Sequence, residues 1–367
     1  MVHFSIILYF KFLAILATVL LWGGLLVNGG VKALVLAAWH GRISDKIPLR
    51  RTYSGFPPLD YIISLLVAFF FYGTNDHDRA YQLFLIDGYS ALQPAFVWLY
   101  VEAARSGAKP TWVERPIVFG ILWQCFGGAI ALPLYYITHI SWATTGGCRR
   151  IRDTSQAFAI PWSFCFGAVL PAIVGMGTKW FGPGTRSSDT HQLILGLWQL
   201  DPIWVSWIQM GVSMVYTVIC SPNHQNSTGR SEKSNHYWTL ITYLFAAVFS
   251  GAGHLYTIWQ TIWDGSQQFG FADLYIPWPF SSLSGGQDDI LVYGPWLFLQ
   301  YDFIIISLSS LSWAYYLLKF NTPLHNTLSS QMLVLTLLLG AILVGPATTV
   351  SLALLYRETK LPGPSKN

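Results

Sequence analysis

The sequence predicts an all-α protein, a polytopic bundle of transmembrane helices. Three observations support this: apolar residues dominate, charged residues are scarce, and the apolar residues fall into long runs. Hydrophobic residues make up 53% of the 367 residues and charged residues only 10%, whereas soluble domains carry about 25% charged residues. So few charged groups cannot cover a water-facing surface. The net charge of +4 is spread in short clusters between the apolar runs, which argues against nucleic-acid binding.

The predicted spans are apolar runs of about 20 residues, the length that crosses about 30 Å of hydrocarbon. We predict eight or nine of them. Pro94 is expected to kink the third. No repeat or composition break divides the chain, so residues 1–356 form one membrane domain, followed by a short basic tail at 357–367. The candidate spans are residues 5–27, 58–73, 81–103, 116–139, 157–177, 192–220, 236–260, 293–318 and 331–356.

The orientation in the membrane is predicted from the basic residues of short loops. The first loop carries four of them and is therefore assigned to the cytosol. Nine alternating spans then place the sequon Asn226-Ser227-Thr228 in the lumen, where it could be glycosylated, in a membrane that we expect to be the endoplasmic reticulum. The basic segment 149–152 would also be lumenal, which opposes this assignment. The four basic residues of the first loop are Arg42, Lys46, Arg50 and Arg51.

The sequence indicates neither a disulfide framework nor a cofactor. The four cysteines form no CxxC pair, so a zinc site is not indicated either. The cluster Asn75-Asp76-His77-Asp78 could bind Mg²⁺, but a second acidic cluster at helical spacing is missing. We therefore predict no metal.

Three aspartates within the spans are candidate catalytic residues, because an ionisable side chain at the bilayer centre costs about 2.5 to 3.5 kcal/mol. Asp87 shares a helical face with small residues and Trp98, which would suit a pocket or, equally, admit a helix that carries a polar partner. Asp201 precedes Pro202 and could simply cap a helix start. Asp302 is followed by apolar residues, which is hard to explain as a solvated face, although neighbouring serines could bond to their own helix.

Aromatic residues make up 16% of the chain, including 17 tryptophans, more than interface belts require. A buried carboxyl group keeps its proton and can act as a general acid, while π-faces stabilise a cation. This combination suits carbocation chemistry on a lipophilic substrate. Glu102, about 22 Å from Asp87 along the helix, is assigned to the membrane interface, and His254 to a structural hydrogen bond. The candidates for substrate binding and cation stabilisation are Trp98, Trp198, Trp313, Tyr316 and Gln209.

The chain also resembles a known family in its length, its number of spans and three stretches of sequence. It is similar to the fungal membrane-bound terpene cyclases of meroterpenoid pathways, of the ascochlorin, ascofuranone and macrophorin cyclase type. The resemblance implies cyclisation of a prenyl chain on an aromatic head group, begun by protonating a terminal epoxide or olefin without loss of diphosphate. The implied partners are a lipophilic prenylated substrate, membrane lipids and other enzymes of the same pathway. The stretches are NDHDRAYQLFLIDGYSALQPAFVWLYVEAARSG, LWQLDPIWVSWIQ and FLQYDF.

Two other classes of protein stay open at this point. A membrane prenyltransferase with an NDxxD motif would need a similar lipophilic pocket, but Arg79 stands where the second aspartate of that motif would follow Asn75-Asp76. A transporter would use intramembrane acids as an ion path. It would more often show inverted repeats with paired broken helices, and the sequence shows no obvious inverted repeat.

Overall fold

Helices make up almost all of the described chain, which confirms the predicted all-α fold. The computed structural model describes residues 2–76, 78–144, 148–177, 186–220, 228–263, 269–278, 287–323 and 329–362.

The described part of the N-terminal half holds nine helices and one short hairpin. A π-helical turn, Val19–Gly23, joins the first two helices, and strands β1 (Arg42–Ser44) and β2 (Ile47–Pro48) pair antiparallel. The helices are α1 (Val2–Thr18), α2 (Gly24–Val27), α3 (Gly30–His40), α4 (Pro57–Thr74), α5 (Arg79–Leu92), α6 (Pro94–Ala104), α7 (Thr111–Glu114), α8 (Pro116–Phe126) and α9 (Gly128–Ala143).

The C-terminal half continues the bundle with longer helices. A second π-helical turn, Cys165–Val169, joins its first two helices. The helices are α10 (Thr154–Phe164), α11 (Leu170–Met176), α12 (Ser188–Trp198), α13 (Asp201–Cys220), α14 (Thr228–Trp263), α15 (Phe271–Tyr275), α16 (Gln287–Asn321), α17 (Ser330–Val344) and α18 (Pro346–Lys360).

Six segments of the described chain are long and apolar enough to cross a membrane. Each matches one of the predicted spans, although the predicted span 192–220 is in fact two helices, α12 and α13, of which only α13 qualifies. The other three predicted spans are each divided into two shorter helices: α5 with α6, α8 with α9, and α17 with α18. The six long segments are Ser5–Val27, Pro57–Thr74, Thr154–Met176, Asp201–Cys220, Lys233–Trp263 and Ile290–Asn321.

Glycine produces two of these three divisions. Gly127 separates α8 from α9 with φ 103° and ψ 147°, and Gly345 separates α17 from α18 with φ 96° and ψ 149°. Both positions have a positive φ that side chains with a Cβ rarely adopt. At the third division Gln93 keeps helical angles, φ −57° and ψ −38°, so α5 and α6 form one helix interrupted only where Pro94 lacks an N–H group.

Four charged side chains are completely buried where α6 meets α18. The Oε2 atom of Glu102 lies 2.9 Å from Nε of Arg105, and Oε1 lies 2.7 Å from Nη1 of Arg357. Nη2 of Arg105 lies 2.8 Å from Oε2 of Glu358. The two carboxylates and two guanidinium groups cancel, so the cluster can be buried without a net charge.

This buried charge cluster bears on two expectations from the sequence. The charge of Glu102 is compensated inside the protein by Arg105 and Arg357, and its assignment to the membrane interface stays a prediction. The predicted basic tail does not begin at residue 357, because α18 continues to Lys360 and its last turns bring Arg357 and Glu358 into the cluster. Residues 363–367 lie outside the described chain.

His139 and Cys148 extend the cluster on the side of α9. Trp313 Nε1 donates to His139 Nδ1 at 3.0 Å, so the remaining ring nitrogen, Nε2, carries the proton and donates to Glu102 Oε2 at 2.7 Å. Burial raises the pKa of the Cys148 thiol to about 11, so the thiol stays protonated beside Arg357. Both residues therefore add hydrogen bonds to the cluster without adding charge.

We expect Arg357→Met to lower the free energy of unfolding by about 3 to 5 kcal/mol, because removal of one partner leaves a buried charge without compensation. Denaturant unfolding in detergent micelles measures this. Arg50→Met is the control, since its partner Asp189 is 70% exposed and such surface pairs contribute at most about 1 kcal/mol. Equal losses in the two variants would contradict the role of the cluster.

Candidate active site

An apolar cavity of about 400 Å³ lies among the π-helical turn after α1 and helices α2, α3, α4, α5, α8 and α16. Its volume is within the range of roughly 300 to 1,000 Å³ found for small-molecule pockets. Aromatic rings form much of its wall. Eight of them line it: Trp22, Phe69, Phe70, Phe84, Tyr89, Trp123, Phe298 and Phe303.

The local sequence explains why aromatic rings lie next to open space in this cavity. Phe69 lies against Phe70 with ring centroids 4.8 Å apart and against Phe298 at 5.3 Å, both in edge-to-face geometry, which is a favourable arrangement of aromatic quadrupoles. On α5, Gly88 faces open space, since an added Cβ would find no atom within 4 Å. The glycine thus leaves room next to the ring of Tyr89.

Asp302 lies in the cavity wall at the division between α8 and α9. Its Oδ1 atom accepts a hydrogen bond of 2.7 Å from the backbone N–H of Ala129, in the first turn of α9. Gly127 makes this approach feasible, because a Cβ there would lie 3.0 Å from Asp302 Oδ1 and 2.8 Å from a methyl group of Leu21. Asp302 therefore satisfies a backbone group that the break in the helix leaves free.

Asp201 lies next to the same cavity and is held by two amides. Gln93 Nε2 donates to Oδ2 at 2.9 Å and Gln124 Nε2 donates to Oδ1 at 2.8 Å, and Gln124 itself lines the cavity. The carboxylate does not act as the expected helix cap, since the amides of Ile203 and Trp204 donate to the Leu200 carbonyl. Within the described chain, neither Asp201 nor Asp302 is paired with a basic side chain.

Tyr89 connects the surroundings of the two acids. Its phenol interacts electrostatically with both Asp201 and Asp302. Its ring lies 4.3 Å from the indole of Trp198 and 5.8 Å from the ring of Phe70, centroid to centroid. The structure thus brings two of the three predicted acids to one cavity, with a phenol near both.

Asp87 lies on a different side of α5. His254 Nδ1 is 3.0 Å from both carboxylate oxygens, and the Tyr275 hydroxyl donates to Oδ2 at 2.6 Å. The alternative from the sequence, a polar partner on a neighbouring helix, thus describes the observed contact. His254 makes an interhelical hydrogen bond, as expected, and its partner is Asp87.

The predicted aromatic and amide residues lie farther from this cavity, and none of the five lines it. Trp198 is the nearest, because it packs behind Tyr89 and Phe70. Trp98 donates to Ser351 at 3.0 Å. A role for these residues in stabilising a cation stays a prediction.

The other three members of that set have distinct surroundings. The indole of Trp313 stacks on Tyr136 with centroids 4.7 Å apart and donates to His139 of the buried charge cluster. Tyr316 stacks on Phe320. Gln209 accepts a bond from Ser163 at 2.9 Å, on the side of α13 that faces α10.

The sequence interpretation missed Tyr89 and Tyr275, and it treated Gln93 and Gln124 only as amides that make interhelical hydrogen bonds, as both do to Asp201. A signal was present for the two glutamines, since Gln93 directly precedes Pro94 and Gln124 lies one turn before the Gly-Gly pair. Amides beside helix interruptions are suited to bonding with groups that the interruption exposes. The signal was absent for Tyr275, because its role depends on contact with a residue 188 positions away.

Two of the predicted features involve residues outside the described chain. The sequon at Asn226 falls in the gap at 221–227, and His77 of the candidate Mg²⁺ cluster is a gap of one residue. Among the described residues, no group of three or more histidine, cysteine, aspartate or glutamate side chains is arranged to hold a metal ion.

Comparison with known proteins identifies the family. A sequence model described as the CtvD domain matches residues 5–361. The chain belongs to the CtvD domain family. It is 25% identical over 361 residues to the terpene cyclase DEP1 of Fusarium langsethiae, and 26% identical over 370 residues to that of Alternaria brassicicola. Each alignment covers 93% of this chain and 95% of the relative.

A third fungal relative extends this similarity. The terpene cyclase ascI of Acremonium egyptiacum is 28% identical over 273 residues, which cover 71% of this chain and 66% of the relative. The predicted resemblance to fungal terpene cyclases is confirmed. No solved structure matches the chain.

We expect Gly127→Ala to destabilise the protein by about 1 to 3 kcal/mol, because it forces a residue with a Cβ into a strained φ and against Asp302. Thermal unfolding in detergent measures the loss. Gly211→Ala on α13 is the matched control, since its Cβ meets no atom within 4 Å and alanine favours the helix. The role of the glycine would be contradicted if the two variants melted alike.

Proposed function

We propose that the protein is an integral membrane terpene cyclase that protonates a terminal epoxide or olefin of a prenylated aromatic substrate and guides the cyclisation of the carbocation. The observation that carries the proposal is the cavity itself, in which aromatic rings surround an acid that has no basic partner among the described residues. The names of the fungal relatives support the same reaction class.

Asp302 is the favoured proton donor. It lies in the cavity wall, whereas Asp201 reaches the cavity through Gln124, and Asp87 is paired with His254. A carboxylate buried without a compensating cation is costly, so such a group keeps its proton. The hydrogen bonds to Asp302 and Asp201 come from a neutral amide N–H group and from neutral side-chain amides, which do not replace that cation.

The proposed reaction begins when the Asp302 O–H bond breaks and its proton moves to the epoxide oxygen or to an olefin carbon. The carbon that becomes electron-deficient is attacked by the π pair of the next double bond, which forms the ring bond and moves the positive charge along the chain. Loss of a proton from the final cation to the Asp302 carboxylate restores the acid. The overall change is an isomerisation.

The aromatic wall supplies the second requirement of this chemistry. The faces of aromatic rings attract a cation through their quadrupole, and eight rings line the cavity. The shortage of polar groups in the wall keeps water from capturing the cation before the ring closes.

A lipophilic substrate has a route into the cavity from the membrane. Ile62 and Val35 line it and are also 50% and 41% exposed at the protein surface. In a bilayer this surface would contact lipid, so a prenylated substrate could enter sideways without crossing water. We place the protein in the endoplasmic reticulum membrane beside the enzymes that supply its substrate.

The direct test is turnover of an epoxidised prenyl-arene by the purified protein in lipid nanodiscs. The proposed function requires a product with the mass of the substrate and a new ring, formed equally well with or without EDTA. Release of diphosphate that depends on Mg²⁺ would identify a prenyltransferase instead. Flux into liposomes without chemical change would identify a transporter.

We expect Asp302→Asn to lower kcat by about 100-fold or more, the usual contribution of a general acid, while the protein still accumulates in membranes. Asparagine retains an oxygen that can accept the Ala129 N–H group but has no acidic proton. Asp201→Asn tests the second acid and Asp87→Asn the third in the same assay. Asp45→Asn, whose side chain is 97% exposed, is the control. Full activity in all three buried variants would remove the proton-donor mechanism.

A further inference from the structure

A second cavity, of about 480 Å³, lies on the other side of Phe303. Phe303 lines both cavities, and its ring centroid is 5.9 Å from that of Phe84 in the first and 5.7 Å from that of Tyr275 in the second. The Phe303 side chain is therefore part of the wall of both spaces. Helices α14, α15, α16 and α17 supply most of the second wall.

The second cavity differs from the first in the polar groups of its wall. One of these is the imidazole of His254. Nδ1 of its ring faces the Asp87 carboxyl group, and Nε2 lies 3.2 Å from the carbonyl oxygen of Ile342. Because the carbonyl can only accept, Nε2 carries a proton, and a second proton is shared between Nδ1 and Asp87. The pair is therefore neutral as a unit and already fully bonded.

Two hydroxyl groups in the same wall retain bonding capacity. The Tyr275 hydroxyl donates to Asp87, which leaves its oxygen free to accept. The Ser307 hydroxyl is buried without a hydrogen-bond partner in the described chain, so it is free both to donate and to accept. An unpaired buried hydroxyl is costly, which points to a polar group of a ligand as its missing partner.

We propose that this second cavity binds the oxygenated end of the substrate through Tyr275 and Ser307, while the polyene chain passes Phe303 into the first cavity. A hydroxyl on the ligand can donate to Tyr275 and accept from Ser307, and the apolar remainder of the wall, including Phe271, suits a ring that carries it. The ligand class is thus a prenylated ring with a free hydroxyl, such as a phenol. This inference rests on the proposed function for the role of the first cavity.

The same arrangement assigns a role to Asp87 and His254. Because the pair is neutral and its groups are bonded to each other, to Tyr275 and to Ile342, it has no free proton to deliver. It fixes the Tyr275 hydroxyl with its oxygen available to the ligand. We therefore regard Asp87 and His254 as positioning residues for the second cavity.

Two probes that differ by one oxygen atom test the proposal. 3-Farnesylphenol and farnesylbenzene share the chain and the ring, and binding of each in tritiated form to the protein in nanodiscs gives a Kd. We expect Tyr275→Phe and Ser307→Ala each to weaken phenol binding about three- to tenfold, the effect of one hydrogen bond. Binding of farnesylbenzene should change less than twofold.

The matched controls remove a tyrosine and a serine hydroxyl elsewhere. Tyr136→Phe loses a buried phenol that bonds to Ser310, and Ser309→Ala loses a hydroxyl on α16 that bonds to its own helix. Both should bind the two probes as the parent protein does.

Equal weakening for the two probes, or none for either, would overturn the proposal. The binding readout is independent of turnover, so selective loss of phenol binding in a protein that forms no ring would refute the proposed function and leave this site standing. If the protein turns over its substrate but Tyr275→Phe and Ser307→Ala leave the binding of both probes unchanged, the proposed binding site in the second cavity is refuted and the proposed function is not.

Discussion

The hydrogen bond from the Ala129 amide to Asp302 is the interaction on which the arrangement of the site depends. A helix that stops within a bilayer exposes backbone groups that lipid cannot satisfy. At the Gly127 break the exposed group is the backbone N–H of Ala129, and Asp302 accepts its hydrogen bond. At Gly345 the freed groups are carbonyls, and His254 donates to that of Ile342. Each glycine break is thus closed by a polar side chain of an adjacent cavity.

The distribution of charge separates structural groups from chemical ones. Glu102 and Glu358 are matched by two arginines, and Asp87 is matched by His254. Asp201 and Asp302 are the buried acids around the first cavity that have only amide donors among their described partners. Uncompensated acids are costly in an apolar interior, which is why we propose a chemical role for these two rather than a packing role.

The predictable part of the fold was the part encoded locally. Apolar runs located the six long helices, and their rare acids identified Asp201 and Asp302. Periodicity along one helix could not show which helix faces it, so it did not reveal that Trp98 donates to Ser351 or that Trp313 donates to His139. The ion pair of Glu102 could not be predicted for the same reason, because its compensating Arg357 lies 255 residues away.

The glycine breaks at Gly127 and Gly345 were only partly predictable from the sequence. Gly127 and Gly345 carried a local signal, a Gly-Gly pair and a Gly-Pro pair, but a continuous run of apolar residues concealed two helices in each span. The aromatic wall of the first cavity was beyond prediction, because its rings come from five different segments. Only the packed structure shows that Phe303 is common to two cavities.

The buried charge cluster also sets an order for biogenesis. Glu102 and Arg105 are neighbours on one helix turn, so they enter the membrane as a neutral pair, and Arg357 and Glu358 arrive together much later. Synthesis of the intervening 255 residues takes roughly 10 to 50 s at about 5 to 20 residues per second. During that time Glu102 and Arg105 lack Arg357 and Glu358, and His139 of α9 is an earlier partner that can reach Glu102. The interior cannot be completed until α18 has emerged, so truncations that remove Arg357 and Glu358 should leave an unfinished core.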